Sequence, residues 1–161
     1  MSDDESASVT AAGWVGGRGR LARRQRARRL VNLVTLATPL GLALAHYGRA
    51  ELHAGPDGLL LACDYRGCVP APRAAAITVG DVVLLRMPVE QALRRPRLLA
   101  HESRHATQWA CWLGPWGFLP AYAAASLRSL VRAGDAATAN VFEVHAGLED
   151  GGYSPSRRPP R

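Results

Sequence analysis

Lysine is absent from this chain of 161 residues, and all 20 of its basic residues are arginine. Together with 13 acidic residues they give a net charge of +7, which is not evenly spread. Residues 30–156 hold ten arginines and ten acidic residues, so the surplus lies in the two ends of the chain. Charge at chain ends acts at a surface, whether membrane, nucleic acid or partner. No aromatic residues are interleaved with the arginines of the N-terminal arm, so a nucleic-acid partner is not expected.

Cysteine is also scarce. Cys63, Cys68 and Cys111 are too few and too irregularly spaced for a disulfide framework or a four-thiolate zinc site. Cys63 and Cys68 could pair outside the cytoplasm, but free thiols are the expected state. The sequence also lacks a glycine-rich phosphate-binding loop and a serine in a nucleophile elbow. Disulfide-rich, nucleotide-binding and serine-hydrolase classes are therefore not indicated.

No apolar run is long enough to identify a membrane span by itself. Residues 30–48 are uncharged over 19 positions and follow an arginine-rich flank that would keep the N-terminus cytoplasmic. However, Asn32, Thr35, Pro39 and His46 recur at helical spacing as a polar stripe. The alternatives are a spanning or membrane-bound helix, a kinked helix packed on another helix, and a signal peptide, which is disfavoured because no normal cleavage site is present. We expect a membrane-associated or cytoplasmic protein.

The sequence predicts one α+β domain over residues 30–153, mostly helical with a small antiparallel sheet. Residues 1–29 are predicted to be a disordered acidic segment, covering the first 17 residues, followed by an arginine-rich arm, and the basic tail 154–161 is also predicted to be disordered.

Turn residues mark the strands of the predicted sheet. A turn at Gly80-Asp81 joins two short apolar segments into a hairpin. The predicted strands cover residues 59–63, 75–79 and 82–86.

Three of the four tryptophans lie in an uncharged run, residues 105–127, which holds the end of the motif helix, a turn, and the start of a second helix expected at 119–132. Trp109, Trp112 and Trp116 are expected to fill the core, and contact with a bilayer interface is the alternative.

The most informative motif is His101-Glu102-Ser103-Arg104-His105. A helix turns about 100° per residue, so two histidines four apart face the same side. Pro96 suits the first helical turn, and residues 97–113 contain no proline or glycine, which places the motif in mid-helix. The two imidazoles can then bind one metal ion while Glu102 takes a proton from a metal-bound water. The alternative is that both histidines are core residues satisfied by backbone carbonyls.

A catalytic zinc site needs a third protein ligand from elsewhere in the chain. Glu143, which follows the second histidine by 143 − 105 = 38 residues, is predicted to provide it. His145, Glu149 and Asp150 are the alternatives. His145 lies about 200° around a helix from Glu143, so the two cannot both face the metal.

With these two short motifs, the chain resembles the gluzincin class of zinc metallopeptidases, which combine such a helix with a glutamate ligand on a later helix. The resemblance implies a zincin-like fold with the motif helix at its centre, and a peptide or protein substrate. It also implies Zn²⁺ as the cofactor, bound by His101, His105 and Glu143, with Glu102 as the general base.

The residues after the glutamate depart from the pattern of several such families. There, Ala-Asp follows at the third and fourth positions, and the Asp supports a zinc-binding histidine. Here Ala146 matches, but Gly147 replaces the Asp, and Asn140, one helical turn before Glu143, is the predicted substitute.

The sequence leaves the oxyanion donor open among Tyr122, His145 and Tyr153. Two other functional classes also stay open. In the first, a non-enzymatic membrane-associated protein uses the same residues as a structural metal site or a polar core. In the second, the arginine arm binds nucleic acid and the motif is incidental. Closed four-ligand coordination would indicate a structural site, whereas an open position would indicate an enzyme.

Overall fold

The computed structural model describes residues 21–68 and 74–152, which form six α-helices and a four-stranded sheet. The helices are α1 (Arg23–Val34), α2 (Ala37–Tyr47), α3 (Val89–Leu93), α4 (Pro96–Cys111), α5 (Pro115–Ala133) and α6 (Val141–Ala146). The strands are β1 (Glu51–Ala54), β2 (Leu60–Cys63), β3 (Ala76–Val79) and β4 (Val82–Leu85). The predicted α+β class, mostly helical with a small sheet, is confirmed.

The sheet is mixed, so the predicted antiparallel sheet is wrong in one respect. Its order is β1-β2-β4-β3, with antiparallel outer pairs and a parallel central pair in which Leu60 lies opposite Val82. The hairpin at Gly80-Asp81 forms as predicted. Strand β1, which was not predicted, pairs with β2. An apolar pattern shows that a strand is buried but not the direction in which it runs, so the parallel pair could not be foreseen.

Residues 30–48 form no continuous helix, because the chain breaks between α1 and α2; α1 packs on the motif helix α4, as the kinked-helix alternative expects. Leu36 adopts a positive φ of 65°, which ends α1 and starts α2 at a new angle. Helix α2 packs on the sheet, where a Cβ on Gly41 would lie 2.5 Å from the Val79 carbonyl oxygen. Among the described residues, no single helix has the length and apolar character to cross a membrane; α1 and α2 meet these criteria only as a pair bent by 73°.

Helix α1 begins inside the arginine-rich arm, so the folded part of the chain starts before residue 30, where the domain was predicted to begin. Arg28 is buried, and its Nε lies 2.8 Å from Oδ1 of Asp81. Asn32 donates from Nδ2 to Asp81 Oδ2 (3.2 Å) and to the Ala106 carbonyl (3.0 Å). Composition left Arg28 outside the predicted domain, because composition cannot reveal that its partner Asp81 lies 53 residues away. Residues 1–20, Tyr153 and the tail 154–161 lie outside the described residues.

Helix α4, which carries the motif, lies at the centre of the fold, in contact with α1, α3, α5, α6 and β3. Its N-terminal half buries Leu98 and Leu99 in one apolar cluster, and its C-terminal half buries Trp109 in another. The indole of Trp109 also donates to the Thr78 carbonyl at 2.9 Å. The expectation of core tryptophans holds for Trp109 alone, because Trp112 and Trp116 are exposed.

Candidate metal centre

Helix α4 places the two motif histidines side by side, as their spacing of four residues requires. The ring centroids of His101 and His105 lie 4.5 Å apart in an edge-to-face arrangement. Their Nε2 atoms are 3.0 Å apart and point toward the same point. Both side chains are buried, with His101 only 3% exposed.

Glu143 approaches this pair from α6, a separate helix. Its Oε2 lies 3.4 Å from Nε2 of His101 and 3.5 Å from Nε2 of His105. Ligands about 2.05 Å from a tetrahedral zinc ion stand about 3.3 Å from one another, close to these three separations. The structure therefore brings together the three residues that the sequence singled out as metal ligands.

Asn140 has a different task from the one predicted for it. Its Oδ1 accepts the backbone N–H of Phe142 at 2.9 Å, which caps the N-terminus of α6. Its Nδ2 donates to the Ser126 hydroxyl of α5 at 2.9 Å. Asn140 thus fixes the helix that carries Glu143, whereas its predicted role as the support of a histidine is wrong.

Backbone carbonyls orient His101 instead. Its Nδ1 lies 3.0 Å from the carbonyl oxygens of both Ala146 and Gly147, at the end of α6. A carbonyl only accepts hydrogen bonds, so Nδ1 carries a proton, and Nε2 is the ring nitrogen that faces the cluster. Gly147 stands at the position where the families that the chain resembles have Asp. Its main-chain carbonyl oxygen is one of the two acceptors for His101 Nδ1.

Gln108 orients the imidazole of His105. Its Nε2 donates to the Phe142 carbonyl at 2.9 Å, which turns its Oε1 toward Nδ1 of His105 at 2.8 Å. Nδ1 of His105 is therefore a donor, and the Nε2 atoms of the two histidines face each other at 3.0 Å. Burial by itself lowers the pKa of His101, but its hydrogen bond with Glu143 and the charges of Glu102 and Glu143 outweigh burial and raise that pKa. An Nε2···Nε2 separation of 3.0 Å fits a hydrogen bond when one ring carries a second proton, and it fits a metal ion bound by both rings when neither does.

The carboxylate of Glu143 is only partly hydrogen-bonded. Its Oε1 accepts a hydrogen bond from the Tyr122 hydroxyl, whereas its Oε2 is buried without a hydrogen-bond partner among the described residues. Burial by itself raises the pKa of Glu143, but interactions with His101, His105 and Tyr122 outweigh it and hold that pKa well below its usual range. A buried, ionised and partly unsatisfied carboxylate fits a metal ligand.

Glu102, the predicted base, is buried beside this cluster. Its Oε2 accepts a hydrogen bond of 2.6 Å from the hydroxyl of Thr78 on β3. Burial raises the pKa of the Glu102 carboxyl, and the hydrogen bond from Thr78 and the nearby histidines counteract this only in part. Two buried carboxylates, Glu102 and Glu143, therefore share one region whose charge a divalent cation would balance.

The rival ligands lie away from the three converging atoms. His145 and Glu149 are exposed, and Asp150 binds Arg104 at 2.9 Å instead. Of the predicted oxyanion donors, Tyr122 contacts the cluster through Glu143, and the exposed His145 does not face it.

A glycine turn covers one side of the cluster. A Cβ added to Gly151 would lie 2.6 Å from Cε1 of His101, so the main chain packs directly on the imidazole. Glu143 is only 2% exposed, and the cluster is closed to solvent.

Sequence reasoning missed Gln108 and Thr78. Gln108 follows His105 by three residues and shares its helix face, so helical spacing could have identified it. Thr78 comes from a distant strand and left no such signal. No protein-family model, no curated protein and no solved structure matches the chain.

Proposed function

We propose that the chain is a zinc-dependent hydrolase, in the simplest case a minimal metallopeptidase, with His101, His105 and Glu143 as zinc ligands. The observation that carries this proposal is the convergence of three ligand atoms from α4 and α6 at 3.0, 3.4 and 3.5 Å. Two imidazoles and one carboxylate are a ligand set of catalytic zinc sites, which leave a fourth position open.

Each residue then has a defined task. Zinc bound at this position would polarise a substrate carbonyl and lower the pKa of water. Glu102 takes the proton of the attacking water and passes it to the leaving amine, a transfer that its raised pKa favours. Tyr122 holds Glu143 through Oε1, while Gln108 and the carbonyl oxygens at the end of α6 fix the two imidazoles.

An extended peptide is the substrate that the surrounding elements favour. β3 is an edge strand of the sheet and contacts α4. Thr78, on that strand, bonds the base Glu102. The Thr78 carbonyl already accepts the Trp109 indole N–H, so only the part of this edge before Thr78 is left for a peptide, which would gain main-chain hydrogen bonds there whatever its side chains are. Its scissile bond would then pass the residues that carry out hydrolysis.

Burial favours a second candidate, a structural metal site. Catalysis requires access, yet His101, His105 and Glu143 are all buried and Gly151 packs on the His101 ring. A closed site with a fourth protein ligand would stabilise the contact between α4 and α6 without hydrolysis.

Metal content tests the site itself. We expect about one zinc per chain in the purified protein, and loss of zinc in His101→Ala and His105→Ala, because two remaining ligands bind too weakly. Glu143→Gln should lose zinc as well, whereas Glu149→Gln, at an exposed position nearby, is the matched control and should retain it. Equal zinc content in all variants would refute the assignment.

Cobalt substitution separates the enzyme from the structural site. In a catalytic site, acetohydroxamate enters the open position and changes the visible spectrum of bound Co²⁺. The zinc-loaded protein should also cleave members of a complex peptide mixture, detected by mass spectrometry. Glu102→Gln should keep zinc and lose cleavage by several orders of magnitude, with the exposed Glu90→Gln as control. An unchanged cobalt spectrum together with an intact peptide mixture would favour the structural site.

A further inference from the structure

Helix α5 is apolar on its outer face as well as on its inner face. The inner face packs Phe118 and Tyr122 on the core and buries Ser129. A broad outer face, roughly 100–220° around the helix from Phe118, presents large apolar side chains to solvent. These are Trp116, Leu119, Leu127, Leu130 and Val131, with Trp116 78% and Val131 80% exposed. A surface helix of a soluble domain places polar residues there, so this face fits an apolar environment.

This surface continues into two turns that touch each other. A Cβ on Gly114, between α4 and α5, would lie 2.6 Å from Oγ1 of Thr35, between α1 and α2. Each turn presents an exposed leucine: Leu113 at φ 56° and Leu36 at φ 65°. The left-handed conformation is strained for leucine, whereas glycine adopts it freely. We call these two turns, with Leu36, Leu113 and Trp116, the apolar tip.

Exposed arginines lie beside exposed apolar side chains on both α1 and α5. Arg23 and Arg26 lie on the face of α1 that continues at helical spacing through Leu30 and Leu33 toward the tip. These four α1 side chains are exposed. Arg24 and Arg29 are further exposed arginines on α1, and Arg128 and Arg132 are exposed on α5. A groove of about 330 Å³ along α1 is lined in part by Arg26, Arg29, Leu30 and Leu33, so apolar and cationic groups share one surface.

We propose that the outer face of α5 and the apolar tip bind the interface of an anionic lipid bilayer, with α5 lying in the membrane plane. The arginines complement anionic headgroups, and exposed tryptophan favours the headgroup level of a bilayer. A second copy of the chain fits less well, because it would bring two sets of arginines together. The membrane contact thus involves α5 and the two turns, rather than a span formed by residues 30–48.

Vesicle binding tests this proposal on the full chain. We expect cosedimentation with vesicles of phosphatidylcholine and phosphatidylglycerol, weaker binding to phosphatidylcholine alone, and weaker binding at high salt. The double variant Leu127→Gln/Val131→Gln should bind mixed vesicles about tenfold more weakly or worse, because two apolar anchors are lost. Leu52→Gln, an exposed leucine on β1, is the matched control and should bind like the wild type.

The other outcomes are equally informative. Circular dichroism and the thermal midpoint should be unchanged in both variants, because all substituted residues are exposed. No binding to either vesicle type would overturn the proposal. So would a dimer in analytical ultracentrifugation that the double variant dissociates, because a second copy would then cover α5. Equal loss of binding in Leu52→Gln would also overturn it.

Discussion

The side-chain oxygen of Gln108 lies 2.8 Å from Nδ1 of His105, one helical turn away on the same face of α4. Through its other end, Gln108 reaches the Phe142 carbonyl of α6. One side chain therefore fixes the tautomer of a candidate ligand and joins the two helices that supply all three ligands.

Gln108→Ala should weaken zinc binding by about 10–100-fold while the fold is retained, because the imidazole loses its orienting partner. The affinity can be measured by competition with a chromophoric chelator. Thr107→Ala, next in sequence and exposed, is the control and should keep the wild-type affinity. Equal affinities in both variants would show that Gln108 does not support the site.

Gly151→Ala should also weaken metal binding, because the new Cβ would meet the His101 ring at 2.6 Å and displace it. Gly152→Ala is an informative control, since no atom lies within 4 Å of its Cβ although its φ of 82° makes alanine strained. We therefore expect Gly152→Ala to lower the thermal midpoint modestly with zinc affinity unchanged. Equal zinc affinities in the two variants would contradict the packing of Gly151 on His101.

Asp81→Asn should destabilise the protein by roughly 3–5 kcal/mol in urea unfolding, because it leaves the buried Arg28 guanidinium without its carboxylate partner at 2.8 Å. Asp64→Asn, at an exposed position with a positive φ that asparagine tolerates, should change the unfolding free energy little. A small effect of Asp81→Asn would mean that α1 is not anchored through this pair.

Cys63 should be inert toward thiol reagents in the folded protein. Burial, with a smaller contribution from the nearby acidic residues Asp64, Glu90 and Glu51, raises its pKa to about 11. At pH 8, only about one Cys63 in a thousand would be a thiolate, the reactive form. In a Cys68→Ser/Cys111→Ser variant, which removes the two exposed thiols, Ellman's reagent should react only after denaturation. Rapid reaction of the native variant would contradict the buried position.

Short sequence patterns predicted the parts of the fold that depend on neighbouring residues. Pro96 and an uninterrupted segment predicted α4, Gly80-Asp81 predicted the hairpin, and spacing alone indicated that His101 and His105 share a face. These features depend on residues close together in the chain, whose geometry the sequence encodes directly.

The remaining features depend on distant partners. The parallel pairing of β2 with β4 and the ion pair of Arg28 with Asp81 join segments that no short pattern relates. His101 is oriented by main-chain carbonyl groups. Every residue has such a group, so the sequence cannot show which one will accept the hydrogen bond. A search for a supporting side chain therefore led to Asn140, which instead caps α6.

The shortness of α6 has a thermodynamic consequence. A helix of six residues is far below the length that is stable by itself, so its order depends on its attachments. A metal ion shared by His105 and Glu143 closes a chain loop of 143 − 105 = 38 residues and restricts the unfolded chain as a crosslink does. Removal of the ion should release α6 before the sheet, and amide hydrogen exchange with and without a chelator would detect this as deprotection confined to residues 141–147. The metal would then be the interaction on which the folded state of α6 depends.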